Sequence, residues 1–407
     1  MSDRRLNWAI RVLIGQALLS RIAAAAELVA LNWWVFHTTN SATMVGIMTL
    51  ARLVPLIVAG PHLGALADRS EPTRLLAAVL AIGAVMTLAC AGTMYFVADY
   101  QWAVWAVLLL VAARSTVTSA EPAIRNTVLA RISAEAGLLR SMSSLSLALT
   151  TSLIIGPGVA GGLMAWEGPA LVIAVSGVGF AVSAVLTRAL PRQLPACSVR
   201  GRPKGSPWPE AVAQARRVPR LGAQLILSAG PMLCIFPYTA MLPILADTIF
   251  ENGAQLGIAY LSAASGVGAV VGALCLRFLL PERPSAIAFL SAALLCLPTV
   301  ALAATGHLPA VAGLVLIGAI GLVGQLYRTS NRAAVLLFAP EERRGLFGGI
   351  SQTDRVLIPA GAFLFGVIAD MGGVAAMAIA MAGANALLIV PAAAMVLKHR
   401  KSAKIKA

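Results

Sequence analysis

Charged residues are scarce in this 407-residue chain, at 12% of the sequence. Soluble domains carry about 25% charged residues, so a soluble protein of this length would lack the charge to cover its surface. Hydrophobic residues make up 59% and the mean hydropathy is +0.85. Disorder is excluded as well, because it requires low hydrophobicity. The composition therefore predicts an all-α polytopic membrane protein.

Lysine, histidine and cysteine are also rare. Lys204 is the only lysine before Lys398, and the chain has no GxxxxGK[ST] phosphate loop, so ATP is not expected to be the energy source. The cysteines lack metal-ligand spacing, and HExxH, GxSxG and paired CxxC motifs are absent. We therefore expect no enzymatic activity, no cofactor, no metal and no disulfide.

Long apolar runs dominate the sequence. A membrane-spanning helix needs about 20 apolar residues, and short Gly, Pro or charged breaks separate runs of that length. The twelve predicted spans are 12–36, 44–65, 74–97, 101–121, 141–165, 169–190, 221–246, 255–277, 284–305, 309–329, 346–370 and 374–397. The stretch 191–219 is basic and rich in proline. It divides the chain into an N-terminal six-helix part, 1–190, and a C-terminal six-helix part with a basic tail, 220–407, as in transporters built from repeats.

The positive charges alternate with the predicted spans. The net charge is +15, and all but four of the 31 lysines and arginines fall in segments on one side of the membrane. Segments on the other side hold residues such as Asp99, Glu167 and Asp370. Because cytoplasmic loops are enriched in Lys and Arg, both termini are predicted to be cytoplasmic in a bacterial inner membrane. The charge thus indicates a basic membrane face, and no nucleic-acid partner is expected.

The segment after the second run reads Gly64-Ala65-Leu66-Ala67-Asp68-Arg69, with Arg74 five residues later. This pattern resembles the GxLaDR signature of the major facilitator superfamily. The resemblance implies twelve transmembrane helices in two pseudo-symmetric six-helix bundles, and transport of a small molecule by alternating access. It also implies a gating role for Gly64, Asp68, Arg69 and Arg74. The corresponding loop after the eighth run has no Asp.

The fifth run contains Gly156-Pro157-Gly158-Val159-Ala160-Gly161-Gly162. It resembles the GPxxGG element of the drug/proton-antiporter branch, with Ala160 in place of one glycine. The resemblance implies that Gly156, Pro157 and Gly161 kink the helix and pack it against the other half, and it favours export. Further stretches, including Ala120-Glu121-Pro122-Ala123, are similar to the subgroup that holds macrolide-efflux proteins and the enterobactin exporter.

Charges inside the predicted spans are candidate functional groups, since each costs roughly 2.5–3.5 kcal/mol at mid-membrane. Glu27 is our candidate proton carrier and Arg114 its coupling partner, on helices that line the cavity in this superfamily. The remaining substrate-cavity candidates are Gln16, Arg21, Asn32, Arg52, Gln325, Gln352, Asp354 and Arg355. The alternative explanations for these charges are structural ion pairs and side chains that extend to the membrane surface.

Arginines outnumber acids within the spans, which favours an anionic substrate. The sequence therefore predicts proton-coupled efflux of an anionic metabolite such as a siderophore, by a monomer whose partners are that substrate, protons and the lipid bilayer. The alternatives are a broad drug or macrolide exporter, an importer, and a non-transporting membrane sensor or scaffold.

Overall fold

The computed structural model describes residues 3–52, 55, 71–97, 102–133, 135–190, 217–250, 253–278, 284–307, 309–339 and 357–405. These residues form helices and short connections, with no strand among them. Contacts divide the chain into two compact units. Unit 1 comprises residues 1–40 and 47–200, and unit 2 comprises residues 41–46 and 201–407. Residues 191–216 of the predicted linker lie outside the described residues.

Seven described helices lie wholly or partly in unit 1. They are α1 (Asp3–Thr39), α2 (Ala42–Arg52), α3 (Pro72–Phe96), α4 (Trp102–Thr118), α5 (Glu121–Ile132), α6 (Glu135–Glu167) and α7 (Pro169–Arg188). The first residues of α2 belong to unit 2 and its remainder to unit 1. Both α3 and α7 begin on proline, whose fixed φ suits a helix and whose missing N–H is not needed in the first turn.

The described helices of unit 2 are interrupted more often than those of unit 1. They are α8 (Pro219–Cys234), α9 (Leu242–Ile249), α10 (Ala254–Phe278), α11 (Pro284–Leu294), α12 (Cys296–Ala301), α13 (Ala310–Phe338) and α14 (Leu357–Ile405), with 3₁₀ turns at Phe236–Thr239 and Leu302–His307. Gly373, with φ of 72°, divides α14 into two helices. It lies in the gap between the last two predicted spans.

The described part of the chain contains ten helices long and apolar enough to cross a membrane. One of them, Leu357–Met395, is the divided helix that includes the described part of the predicted span 346–370 and most of the span 374–397. The second predicted span is described only at its start, over Ala42–Arg52. Large apolar side chains such as Val85, Leu109 and Val315 are exposed on these helices, as expected where lipid covers them. The prediction of an all-α polytopic membrane protein is confirmed.

Several predicted boundaries are wrong. Helix α13 continues to Phe338, past the predicted end at 329. The predicted span 221–246 is divided into α8, a 3₁₀ turn and α9, because prolines interrupt the ladder of backbone N–H donors. Arg125, predicted as a cytoplasmic loop cation, lies in α5 and is only 2% exposed.

Asp370 of α14 caps the start of α2 within unit 2. Its carboxylate accepts hydrogen bonds from the backbone N–H groups of Ala42 (2.5 Å) and Thr43 (3.0 Å) and from Ser41 Oγ (2.6 Å). A carboxylate at this position satisfies N–H groups that have no partner inside the helix and complements the helix dipole. This contact accounts for the membership of residues 41–46 in unit 2.

Candidate functional site

Helices α1 and α4 bring Glu27 and Arg114 together inside unit 1. Arg114 Nη1 donates to Glu27 Oε1 at 2.6 Å, and the side chains are 5% and 0% exposed, respectively. The Arg114 guanidinium also lies 4.5 Å from the centroid of the Phe180 ring of α7. This cation–π contact and the ion pair hold Arg114 from two sides. The two leading sequence candidates thus form one buried pair.

Two more arginines belong to this cluster. Arg52 of α2 lies within electrostatic range of Glu27, Arg114 and Arg21. The Glu27 cluster, defined here as these four residues, has three guanidinium groups and one carboxylate. Because an unneutralised charge in an apolar environment is costly, the Arg52 guanidinium beside the Glu27–Arg114 pair suits an anionic ligand.

Three polar atoms of the Glu27 cluster are buried without a hydrogen-bond partner among the described residues. They are Glu27 Oε2, Arg114 Nε and Arg52 Nη1. Buried polar atoms are nearly always paired with protein or ordered water. The cluster therefore has both donor and acceptor capacity available for water, a proton or a substrate.

A second buried ion pair in unit 1 joins Glu121 to Arg125, four residues apart on α5. Ser20 Oγ of α1 donates to Glu121 Oε1 at 3.3 Å and accepts from Arg125 Nη2 at 3.4 Å. Gln16 Nε2 reaches Ser20 Oγ at 3.5 Å. Gln16, predicted for the same cavity as Glu27, thus belongs to this Glu121 cluster of four residues.

Sequence reasoning missed the Glu121 cluster because it assigned Arg125 to a loop. The available signal was the spacing of Glu121 and Arg125, since an acid and a base four residues apart share one face of a helix. Pro122 in the first turn of α5 is likewise typical of a helix start.

In unit 2, the described candidate Gln325 lies on α13. Gln325 Nε2 donates to Thr329 Oγ1 at 3.1 Å, and its Oε1 accepts from Arg328 Nη2 at 3.4 Å. The Arg328 guanidinium lies 4.6 Å from the centroid of the Phe236 ring. Gln352, Asp354 and Arg355 lie outside the described residues.

The remaining candidates are Asn32 and the four residues of the predicted gating motif. Asn32 is buried in α1. Arg74 is exposed and pairs with Glu71 at 2.7 Å, whereas Gly64, Asp68 and Arg69 lie outside the described residues.

The glycine-rich element of α6 contacts α1. A Cβ on Gly156 would stand 2.5 Å from Ala25 Cβ and 3.0 Å from the Ile22 carbonyl oxygen, both in α1. Pro157 and Gly161 lie within the same continuous helix. Gly156 thus brings α6 close to the helix that carries Glu27, and the expected packing of this element against the other half stays a prediction.

Comparison with known families decides the identity of the fold. A family model described as the Major Facilitator Superfamily matches residues 13–358. The chain belongs to the Major Facilitator Superfamily. The resemblance seen in the sequence is confirmed, and the protein is a transporter of this superfamily rather than an enzyme.

Two curated members of the superfamily align with most of the chain. The "Staphyloferrin A transporter" of Staphylococcus aureus is 25% identical over 355 residues, which cover 85% of this chain and 86% of that protein. The "Macrolide efflux protein A" of Streptococcus pyogenes is 27% identical over 280 residues, which cover 66% of this chain and 67% of that protein.

Solved structures share the major facilitator fold at low identity. The nucleoside transporter NupG superposes with a TM-score of 0.79 at 15% identity, covering 95% of this chain and 99% of that one. A bacterial homologue of the iron transporter ferroportin gives 0.67 at 16% identity, covering 96% and 99%. These likenesses establish the fold alone.

Proposed function

We propose that this protein is a proton-coupled exporter of an anionic small metabolite, a siderophore of the carboxylate type, in a bacterial inner membrane with both termini cytoplasmic. The observation that carries the proposal is the buried Glu27–Arg114 pair with Arg52 beside it. The 25% identity to a protein named as a staphyloferrin A transporter supports this substrate class.

The chemistry of the Glu27 cluster suits such a substrate. Arginine presents its N–H groups in a fork that matches a carboxylate, and Arg52 Nη1 has no hydrogen-bond partner among the described residues. Ionised Glu27 is an acceptor for hydroxyl or amide donors on the substrate. In this proposal the arginines bind the acidic groups, and Glu27 accepts a hydrogen bond from the same molecule.

A transporter that exchanges protons for substrate must bind only one of the two at its site at a time. Protonation removes the charge of Glu27 and replaces an acceptor with a donor, so the substrate loses one contact when the proton binds. Proton uptake from outside then releases the substrate, and proton loss to the cytoplasm prepares Glu27 to bind again. The proton gradient thus drives efflux because the substrate binds more tightly when Glu27 is unprotonated than when it is protonated.

The test is efflux of a radiolabelled citrate-based siderophore from proteoliposomes under an imposed pH gradient. We expect wild type to export the siderophore and Glu27→Gln to lose gradient-driven export. The matched control is Glu167→Gln, the same change at an exposed residue at the end of α6, which should transport like wild type. If the siderophore moves in the same direction as the protons, rather than in the opposite direction, the protein is an importer and the proposed export is wrong.

A second candidate is efflux of a macrolide, favoured by the 27% identity to a macrolide efflux protein. The same vesicles loaded with a labelled macrolide decide between the two. Export of the macrolide without export of the siderophore would favour this reading. Gradient-driven siderophore export that survives in Glu27→Gln would retain the exporter and eliminate Glu27 as its proton site.

A further inference from the structure

Glu27 shares one face of α1 with Gln16 and Ser20 of the Glu121 cluster. Ser20 and Glu27 are seven residues apart, which is nearly two helical turns and about 10 Å along the axis. Ser20 contacts Glu121 of α5, and Glu27 contacts Arg114 of α4. The residues of this face that lie between them are Ala23 and Ala24. Along this face, the fully buried Glu27 and the largely buried Glu121 are therefore separated by two small side chains, which also contact an apolar cluster of unit 1.

Each of the two clusters has buried polar atoms without a hydrogen-bond partner. They are Glu27 Oε2 and Arg114 Nε in the Glu27 cluster, and Gln16 Oε1 and Arg125 Nε in the Glu121 cluster. All four are buried and make no hydrogen bond within the described ranges. Purely apolar cavities stay dry, but sites with several polar partners hold ordered water. The pattern thus points to ordered water at each of the two clusters.

The two carboxylates differ in their access to the surface. The Glu27 side chain is fully buried, whereas the Glu121 side chain is 12% exposed. Glu121 faces Arg125 together with Ser20 of α1. In the described part of unit 1, Glu27 faces Arg114 of α4, with Arg52 of α2 and Cys90 of α3 also within electrostatic range.

We propose that a file of water molecules along this face of α1 joins Glu27 to Glu121, and that Glu121 passes the proton of Glu27 to the solvent; this rests on the proposed proton coupling at Glu27. The carboxylic acid of Glu27 gives its proton to the adjacent water. The Glu121 carboxylate takes a proton from the other end of the file and releases one to the solvent. Only O–H bonds form and break, and no oxidation is involved.

The first test asks whether the stretch contains water. Ala24→Cys places a thiol between the clusters, one helical turn from each. Ala30→Cys is the matched control, because Ala30 is fully buried on the same helix and lies beyond Glu27, outside the segment between the two clusters. Both changes are made in a full-length chain whose native cysteines are replaced by serine or alanine.

The measurement is the rate of modification by a small water-soluble thiosulfonate, read by mass spectrometry. We expect Ala24→Cys to react and Ala30→Cys to remain unmodified. Equal resistance of the two thiols would overturn the proposed file of water. This test does not depend on the substrate or on the direction of transport.

The second test follows the proton itself. After a jump from acid to neutral pH, the carboxylic-acid infrared band that Glu27→Gln removes should decay as Glu27 loses its proton. Glu121→Gln should slow this decay about a hundredfold, in keeping with removal of a positioned proton-transfer group. Glu121→Asp should restore much of the rate, and Glu167→Gln should match wild type.

The outcomes separate the relay from the proposed function. If Glu27→Gln removes no carboxylic-acid band, Glu27 carries no proton and the proposed coupling fails. If the band is present but decays equally fast in Glu121→Gln, the relay alone is wrong. Slow decay in Glu121→Gln together with modification of Ala24→Cys supports the relay.

Discussion

The described buried networks of the two units use different chemistry. Unit 1 pairs charged groups, Glu27 with Arg114 and Glu121 with Arg125. The buried hydrogen bonds of unit 2 join neutral groups: Asn331 Nδ2 donates to Ser228 Oγ at 2.6 Å, and Tyr327 Oη donates to the Leu227 carbonyl at 3.1 Å.

This difference separates two tasks. An amide–hydroxyl pair stays uncharged at every physiological pH. A carboxylate, in contrast, loses its charge and becomes a hydrogen-bond donor when it binds a proton. In the proposed mechanism a proton changes the ionic network around Glu27, while the neutral hydrogen bonds of unit 2 contain no group that ionises. We expect substitutions in the two units to have correspondingly different consequences.

The largest effect should follow loss of one partner of the buried ion pair. Arg114→Met leaves the Glu27 carboxylate unpaired, and we expect the free energy of unfolding to fall by about 3–5 kcal/mol. Thermal unfolding of the purified protein in detergent measures this change. Glu27→Gln combined with Arg114→Met should recover most of the loss, because no buried charge is left unpaired. A double variant as unstable as the sum of the single variants would show that the pair is not coupled.

A smaller effect should follow crowding of α1 by α6. A methyl group on Gly156 would overlap Ala25 of α1, so Gly156→Ala should cost about 1–3 kcal/mol of stability and reduce transport by displacing the helix that carries Glu27. Gly158→Ala is the control, since no atom lies within 4 Å of the added methyl group. Melting temperature and efflux rate are the measurements. Equal losses in the two variants would argue against the close packing of α1 and α6.

The neutral network of unit 2 offers a comparison without charge. Asn331→Leu removes the hydrogen bond to Ser228, and we expect a loss of about 1–2 kcal/mol in the stability of the folded protein. Because neither group titrates, the loss should be the same across the pH range in which wild type is folded. Unfolding of Asn331→Leu and wild type at several pH values tests this. A strong pH dependence of the difference would remove the contrast between the two units.

The smallest effect should follow loss of the exposed pair in unit 1. Arg74 is 68% exposed in its pair with Glu71, and such surface pairs contribute about 0–1 kcal/mol because water and salt screen them. Arg74→Gln should therefore leave the melting temperature nearly unchanged. A fall in transport without a fall in stability would support the gating role predicted for Arg74. A stability loss as large as that of Arg114→Met would contradict the idea that a buried ion pair contributes more to stability than an exposed one.

Local features of the sequence were sufficient for the membrane location, the helical class and the family. A run of about 20 apolar residues predicts a spanning helix whatever its neighbours are, and the Gly64–Arg74 signature indicated the superfamily. The rarity of charge inside the spans also selected Glu27 and Arg114 before any contact was known. These inferences succeeded because each depends on residues close together in the chain.

The contacts between distant residues were decided by the tertiary structure alone. Glu27 of α1 and Arg114 of α4 meet through their long side chains, and a single sequence does not specify the helix rotations that bring them together. Arg125 resembles a loop cation in the sequence, yet packing against Ser20 buries it beside Glu121. Gly156 likewise lies against Ala25 of α1, a contact that the glycine-rich pattern alone does not specify. Hydropathy is a property of a segment, but pairing of buried polar groups depends on which helices become neighbours.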